Sequence, residues 1–427
     1  MKITLPLKQL KDAVEKASVA ALTQKAQDKD RKLTKPTDSC VRVSASKDSI
    51  VFESSSQGIS ALHSVQTGGG VSVGQEGACC VEASRYLRIL QALPKGCLIE
   101  ISQEDKKGCV NESPESKVIE PSGTITTVAF ENKSEKRRGN DDTFPVDGFT
   151  QVDYAGGRVL FSIQAKLLTK CVDRVLFAIN SNDIAGLYDN VAILVFDNKI
   201  LFVGTDGRKC AVYSVVADEK DCATILDGQE ILVGGKLLKN SCKSFGNREI
   251  IDVIGCEDGE HVILAGENTR VRLLMAPAKI KQQYPDAANL LNLACPVSIV
   301  VDRADLLEAV EVLSLRNPGR SIYHIKKGKS QIRITTAARG DDPDPDMATA
   351  ECESIAASPT NPVALENEFV VDGCEKIAGS KVRISFSKDE KKIRMESPSD
   401  ARFVYFFQAS TAWGKLPIFK GRFAQVV

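Results

Sequence analysis

A chain of 427 residues is too long for one ordinary hydrophobic core, and with 43% apolar and 26% charged residues it reads as a globular protein of several domains. Its 56 basic residues balance 56 acidic ones, so bulk charge makes no case for a nucleic-acid partner and only the distribution of charge along the chain can. Thirteen cysteines without a C-x-x-C spacing, three isolated histidines (His63, His261, His324) and no apolar run near about 18 residues argue against a metal or other cofactor, a disulfide scaffold and a membrane span; a cytoplasmic location is expected.

In chain order, residues 3–20 (ITLPLKQLKDAVEKASVA) pair a short extended start with an amphipathic helix, in which Leu7, Leu10 and Val14 recur at helical spacing. The same unit returns at 161–179, with Leu167, Leu168, Val172 and Val175, and at 299–315, with Leu306, Leu307, Val310 and Leu313. A second set of strand-then-helix segments opens at Cys79, Glu230 and Glu368, and stretches such as VRVSASKDSIVFES and AILVFDNKILFVGT alternate with a period of two, as antiparallel hairpins do. The chain therefore reads as six helix-plus-sheet units of the α+β class, paired into three domains. Composition loosens at 131–150 and 281–296, which places the domains at 1–150, 151–294 and 295–408, with 409–427 as an extension. The acids Asp341, Asp342, Asp344 and Asp346 lack the glycine and terminal glutamate of a calcium loop and read as a solvated turn.

Charge is biased toward the helices. Lys8, Lys11 and Lys16, then Arg85 and Arg88, then Lys166, Lys170 and Arg174, then Lys236, Lys239 and Lys243 outnumber the acids of the first four helical segments, whereas Asp302, Asp305, Glu308 and Glu311 outweigh Arg303 on the fifth. Spread cations with few aromatics suit phosphate contacts that position duplex DNA without reading its sequence, and do not suit base stacking. Neither a nucleophile with its base nor paired carboxylates stand at catalytic spacing, so the chain is not read as an enzyme; Cys210, after Arg208 and Lys209, is the best candidate for a reactive thiol.

The run Thr205-Asp206-Gly207-Arg208-Lys209-Cys210-Ala211-Val212 resembles the T-D-G-x-R-L-A-x signature of the bacterial β sliding clamp family, the DNA polymerase III β subunit. Met1-Lys2-Ile3-Thr4, Phe144-Pro145, Tyr284-Pro285-Asp286 and the terminal strand from Arg402 to Phe407 extend the resemblance along nearly the whole chain. It implies a DNA-clamp fold of three similar domains, each with two helices against antiparallel sheets, closed into a ring as a head-to-tail homodimer. It implies a processivity factor for DNA replication that encircles double-stranded DNA, is opened by a clamp loader, and docks peptides of the replicative polymerase and other clamp-binding-motif proteins. By this resemblance the peptide groove includes Tyr188, Thr205, Gly207, Arg208, Lys209, Cys210, Pro285, Asn289, Leu290, Val404, Tyr405, Phe406, Phe407 and Gln408. The DNA-facing cations are Lys8, Lys11, Lys25, Lys32, Arg85, Arg88, Lys166, Lys170, Arg174, Lys236, Lys239 and Lys243.

Three departures stand out. A lysine-rich loop (Lys25, Lys29, Arg31, Lys32, Lys35) replaces the family's arginine-proline-rich one, and the second helix of the third domain, around Asp372–Gly379, reads as shortened and glycine-flanked. Residues 409–427 run beyond the family's terminal strand, and Leu416-Pro417-Ile418-Phe419 resembles the core of clamp-binding peptides. That tail is expected to occupy a groove, to cover a sheet edge through Trp413, Leu416, Ile418 and Phe419, or to be disordered. These departures leave open a second reading, a clamp-fold scaffold that binds peptides without encircling DNA.

Overall fold

The computed structural model describes residues 1–21, 36–56, 58–105, 122–132, 134–180, 182–183, 186–196, 198–216, 222–224, 228–315, 319–336, 346–353, 355, 357–360 and 362–409. Lys25, Lys32, the acidic stretch 341–344 and the tail beyond 409 lie outside them. The chain divides into two compact units, the first made of Met1–Leu168 and Leu237–Met275, the second of Thr169–Lys236 and the chain from Ala276 onward.

The α-helices are α1 (Leu7–Ala17), α2 (Ala83–Ala92), α3 (Ala165–Val175), α4 (Gly235–Cys242), α5 (Ala278–Lys281), α6 (Ala287–Leu291), α7 (Arg303–Ser314) and α8 (Asn367–Lys376). Six of them, α1 to α4, α7 and α8, begin on the residue after a strand ends, which is the repeat legible in the sequence. The switch is local chemistry. Glu82 and Asp302 keep extended backbone while their carboxylates accept from the first free amides of α2 and α7, and Pro6 does without a side-chain cap at α1.

In the first unit, an antiparallel sheet runs in the order Arg158–Gln164, Ile250–Gly255, His261–Ala265, Thr269–Leu274, Ile59–Gln66, Ser49–Ser56, Cys40–Ala45 and Gly77–Glu82. It continues through Ser134–Phe144, Gly123–Glu131, Leu98–Asp105, Lys2–Pro6 and Ser72–Gln75. Leu7, Leu10 and Val14 of α1 and Tyr86 and Leu90 of α2 pack with inward residues of these strands, such as Ile3, Leu5, Phe52 and Ile99, in one core. The stretch 131–150, read from its charge as a loose join, instead carries the strand Ser134–Phe144. Backbone pairing with Gly123–Glu131 makes it a strand, the charges of its first half point to solvent, and only Asp141 and Thr143 turn inward.

The second unit contains an eight-stranded sheet in the order Gln229–Gly234, Asn190–Phe196, Lys199–Thr205, Lys209–Val216, Phe403–Gln408, Lys392–Glu396, Lys381–Phe386 and Val297–Asp302. A four-stranded sheet runs Met347–Glu351, Gln331–Thr336, Arg320–His324 and Val363–Glu366. Helices α7 and α8 pack against each other, burying Leu306, Val310 and Leu313 of one and Phe369, Val370 and Cys374 of the other. Helix α8, placed by the sequence around Asp372–Gly379, runs instead over Asn367–Lys376 and spans 10 residues, as α2 does. Its Gly373 does not end the helix but lets it approach the strands, since a Cβ there would stand 3.0 Å from Met395 and Tyr405.

One pairing in the first unit depends on pH. Where Thr269–Leu274 meets Ile59–Gln66, His63 lies opposite Thr269, buried, with Nδ1 2.8 Å from the Thr269 hydroxyl. Burial, and then the charge of Lys16, pull its pKa down to about 4. Between that value and the ordinary one near 6.5 the unfolded chain binds a proton that the folded chain refuses, so stability is complete above about 6.5 and falls as pH drops toward 4, by up to about 3 kcal/mol. His63→Asn keeps a hydrogen-bonding group without the titration. Urea unfolding at pH 4.5 and 7 should show a smaller stability difference in the variant than in the parent, and equal differences would refute the assignment.

Candidate functional site

The Thr205–Cys210 segment is a tight connection between the strands Lys199–Thr205 and Lys209–Val216. The Asp206 carboxylate accepts from the amides of Arg208 and Lys209, each at 2.8 Å, while the Thr205 hydroxyl donates to the Lys209 carbonyl at 2.7 Å and accepts from the Gly207 amide at 3.1 Å. Gly207 has φ +85°, and a Cβ on it would lie 2.8 Å from the Tyr188 ring. The threonine, aspartate and glycine of the signature are therefore the hydrogen-bonding and steric terms of one turn.

Beyond the turn, Lys209–Val216 pairs with Phe403–Gln408 in the register Lys209↔Phe407, Cys210↔Phe406, Ala211↔Tyr405 and Val212↔Val404. The period of two then sorts the sequence-derived groove residues onto opposite faces. Cys210, Val404 and Phe406 join Leu290, Tyr284, Ala287, Val203 and Leu194 in one apolar cluster, with Pro285 buried beside Tyr284. Asp286 caps α6 and also accepts from the Asn289 side chain at 2.7 Å, and Asn289 and the half-buried Gln408 and Tyr188 lie toward solvent.

Lys209, Tyr405 and Phe407 are corrections to the single-groove reading, because alternation turns them to the other face. There the Lys209 ammonium stands 2.6 Å from Asp372 and 3.8 Å from Glu368, with the Phe177 and Phe369 rings 5.7 and 5.5 Å away. Tyr405 stacks against Phe177 and Phe407 against Phe369, at 5.5 and 5.8 Å. Exposed Arg208 lies over the Phe369 ring and 3.6 Å from Glu366.

Cys210 is corrected as well. It is fully buried, and desolvation, helped by Asp206, pushes its thiol up to about 12, the reverse of what a reactive thiolate needs. Most of the other described cysteines are buried as well. Among the described residues no group of His, Cys, Asp and Glu is placed to hold a metal ion, and no helix is long and apolar enough to cross a membrane.

Two residues of this site were not legible from spacing. The buried Tyr284 hydroxyl donates toward the carbonyls of Asn190 and Val203, at 3.0 and 3.1 Å, tying the α5–α6 segment to the sheet. Arg394 lies 6.0 Å from the Phe406 ring, is bound to Glu396 at 2.6 Å and donates to the Leu291 carbonyl at 3.3 Å. Tyr284 sits directly before Pro285 and could have been marked as its anchor; Arg394 is brought in by strand pairing alone.

The helix cations divide into two kinds. Lys8, Arg88, Lys166, Lys170, Lys236, Lys239 and Lys243 are exposed, Lys243 donating to the Asn240 side chain at 3.0 Å, and Lys11 is half-buried, 3.7 Å from Glu15. Arg85 is bound to Asp141 at 2.8 Å and Asp142 at 3.5 Å, and Arg174 donates to the Lys376 carbonyl at the end of α8, so these two serve the fold.

This architecture, six strand-then-helix units against antiparallel sheets, is the DNA-clamp fold. Within that class the likeness is to the bacterial β sliding clamp, the DNA polymerase III β subunit. The chain is 18% identical over 372 residues to the beta sliding clamp of Bacillus subtilis (strain 168), covering 85% of this chain and 89% of that protein. It is 21% identical over 322 residues to that of Rickettsia bellii (strain RML369-C), covering 72% and 80%. The solved DNA polymerase sliding clamp from Bacillus subtilis superimposes with a TM-score of 0.75 at 17% identity over 97% of this chain and all of that one, and the DNA polymerase III subunit beta from Pseudomonas aeruginosa with 0.74 at 16% over 96% and 99%. No protein-family model matches the chain.

Gly207→Ala should cost about 1–3 kcal/mol in urea unfolding, from φ strain and the clash with Tyr188. Adding Tyr188→Ala should recover the steric part and leave the φ part. A single variant within about 0.5 kcal/mol of the parent would show that the turn does not need glycine.

Proposed function

We propose that this protein is a DNA sliding clamp of cytoplasmic DNA replication, which confers processivity on a replicative polymerase by encircling duplex DNA and docking partner peptides, and is not itself an enzyme. The observation that carries the reading is the sixfold strand-then-helix repeat, matched along nearly the full length of proteins named as sliding clamps. Three domains, 1–150, 151–294 and 295–408, follow from pairing the six units in order.

The mechanism is mechanical. Exposed lysines at Lys8, Lys166, Lys170, Lys236, Lys239 and Lys243, with Arg88, offer charge to phosphates without reading bases, an attraction that physiological salt screens. Retention therefore has to come from topology, and the ring turns polymerase dissociation into local rebinding. Partner peptides are assigned to the apolar cluster around Cys210, Leu290, Val404 and Phe406, reached past half-buried Leu187, Ile280 and Leu291. One solved Pseudomonas aeruginosa sliding clamp is bound to griselimycin, which supports ligand binding by a protein of this fold.

Ring closure by a second copy accounts for an otherwise costly feature of α7. Val312, and Leu315 just past the helix end, are 54% and 86% exposed, beside the edge strand Met347–Glu351, an apolar surface suited to a partner subunit.

Two outcomes test this. Protein loaded by its cognate loader onto nicked circular DNA should stay bound at physiological salt and leave quickly once the circle is cut; equal loss before and after cutting would favour the non-encircling, peptide-binding scaffold. Val312→Glu should shift the protein from dimer to monomer in analytical ultracentrifugation with its fold intact by circular dichroism, and an unchanged dimer would remove α7 from the interface.

A further inference from the structure

We propose that the outward face of the four-stranded sheet in the second unit is a second docking surface, which takes an extended acidic peptide segment of a partner protein. The surface lies apart from the Thr205–Lys209 turn and does not depend on DNA encirclement. The strands Arg320–His324, Gln331–Thr336 and Met347–Glu351 turn alternate residues outward around a groove of about 810 Å³. His324, Lys326, Lys329 and Arg333 line it, Ile322 and Met347 supply its apolar part, and no Asp or Glu is among its lining residues.

What marks this groove is that its cations gather in one concavity. Arg320 is held by Glu366 at 3.3 Å, Lys381 by Glu353 at 2.8 Å, Arg394 by Glu396 at 2.6 Å and Arg402 by Asp400 at 2.8 Å. Among the described residues, Lys326, Lys329 and Arg333 have no such partner, though all three are exposed and crowd one concavity. The His324 imidazole, 3.1 Å from the Thr335 hydroxyl, registers the excess: burial first, then the charges of Arg333 and Lys326, hold its pKa below the usual value. Neighbouring cations of one sign without counter-charge are an electrostatic cost that an anionic ligand relieves.

The shape selects the ligand. Outward residues of a strand repeat about every 7 Å, the same spacing as the side chains on one face of an extended peptide, so alternating carboxylates can meet Arg333 and Lys329 in register. Met347, 58% exposed, and Ile322 would cover an apolar residue between those carboxylates. Single-stranded nucleic acid finds no aromatic platform among the lining residues, and the volume holds a few side chains rather than a duplex.

The test uses the full-length protein and a fluorescein-labelled decapeptide of alternating Glu and Leu, read by anisotropy, with the Lys–Leu counterpart and a ten-nucleotide oligothymidylate as comparisons. The acidic peptide should bind best, and Arg333→Gln with Lys329→Gln should weaken it by about tenfold or more. Both positions are exposed, and unchanged circular dichroism and an unchanged thermal midpoint would show that the variant is folded. In the parent, saturation with the peptide should move the His324 imidazole titration to higher pH by NMR, a shift absent in the variant. Equal binding by parent and variant, no preference over the Lys–Leu peptide, or tighter binding of oligothymidylate would each overturn the proposal. So would acidic-peptide binding that appears only after Asp341, Asp342 and Asp344 are changed to Asn, since the intact chain would then fill the groove itself.

Discussion

The site in the second unit depends on the backbone pairing of Lys209–Val216 with Phe403–Gln408, two segments almost two hundred residues apart. Because side chains alternate, its register decides which residues share a face, and a slip of one residue would exchange the two sets entirely. The observed register places Cys210 with Phe406 on the apolar cluster and Lys209 with Phe407 on the side of α8. The Arg402 carbonyl, which accepts from the Ser214 amide at 2.7 Å, carries the hydrogen bonding beyond the last paired residues.

Each face then has its own chemistry. On one, the buried rings of Tyr284 and Phe406 join the aliphatic side chains of the sheet and of α6 in a single apolar cluster. On the other, a buried ammonium is tolerated because Asp372 neutralises it and two phenylalanine rings flank it. The Thr205–Lys209 turn joins the two, since the Thr205 hydroxyl holds the carbonyl of the same Lys209 whose side chain reaches Asp372.

With no net charge to spend, the chain places its cations by task. Arg174 and Arg303 both donate to carbonyls in the last turn of α8, at Lys376 and Cys374, where free carbonyls and the negative end of the helix dipole collect. Arg85 neutralises the inward Asp141. Lysines on the helix faces remain toward solvent, which suits a compact, strongly hydrated charge, while the planar guanidinium serves where several acceptors must be met at once.

The helices were legible because each needs only local information: an apolar stripe at helical spacing, as in Leu306, Val310 and Leu313, and a capping carboxylate such as Asp302. The same local rule misjudged Ser134–Phe144, whose charges hid a strand made by its neighbours, and it could not tell that Gly373 of α8 is a close-packing position. The Thr205–Lys209 turn was written in the sequence, down to its positive-φ glycine. What lay outside local spacing was which distant strand would pair with it, and hence that Tyr405 and Phe407 face away from Cys210 and that Arg394 reaches Phe406; nor did spacing show that Arg333 and Lys329 line one groove. Local propensity acts over a few residues, whereas strand register is settled by burying both faces of a sheet at once, and only the folded chain satisfies that condition.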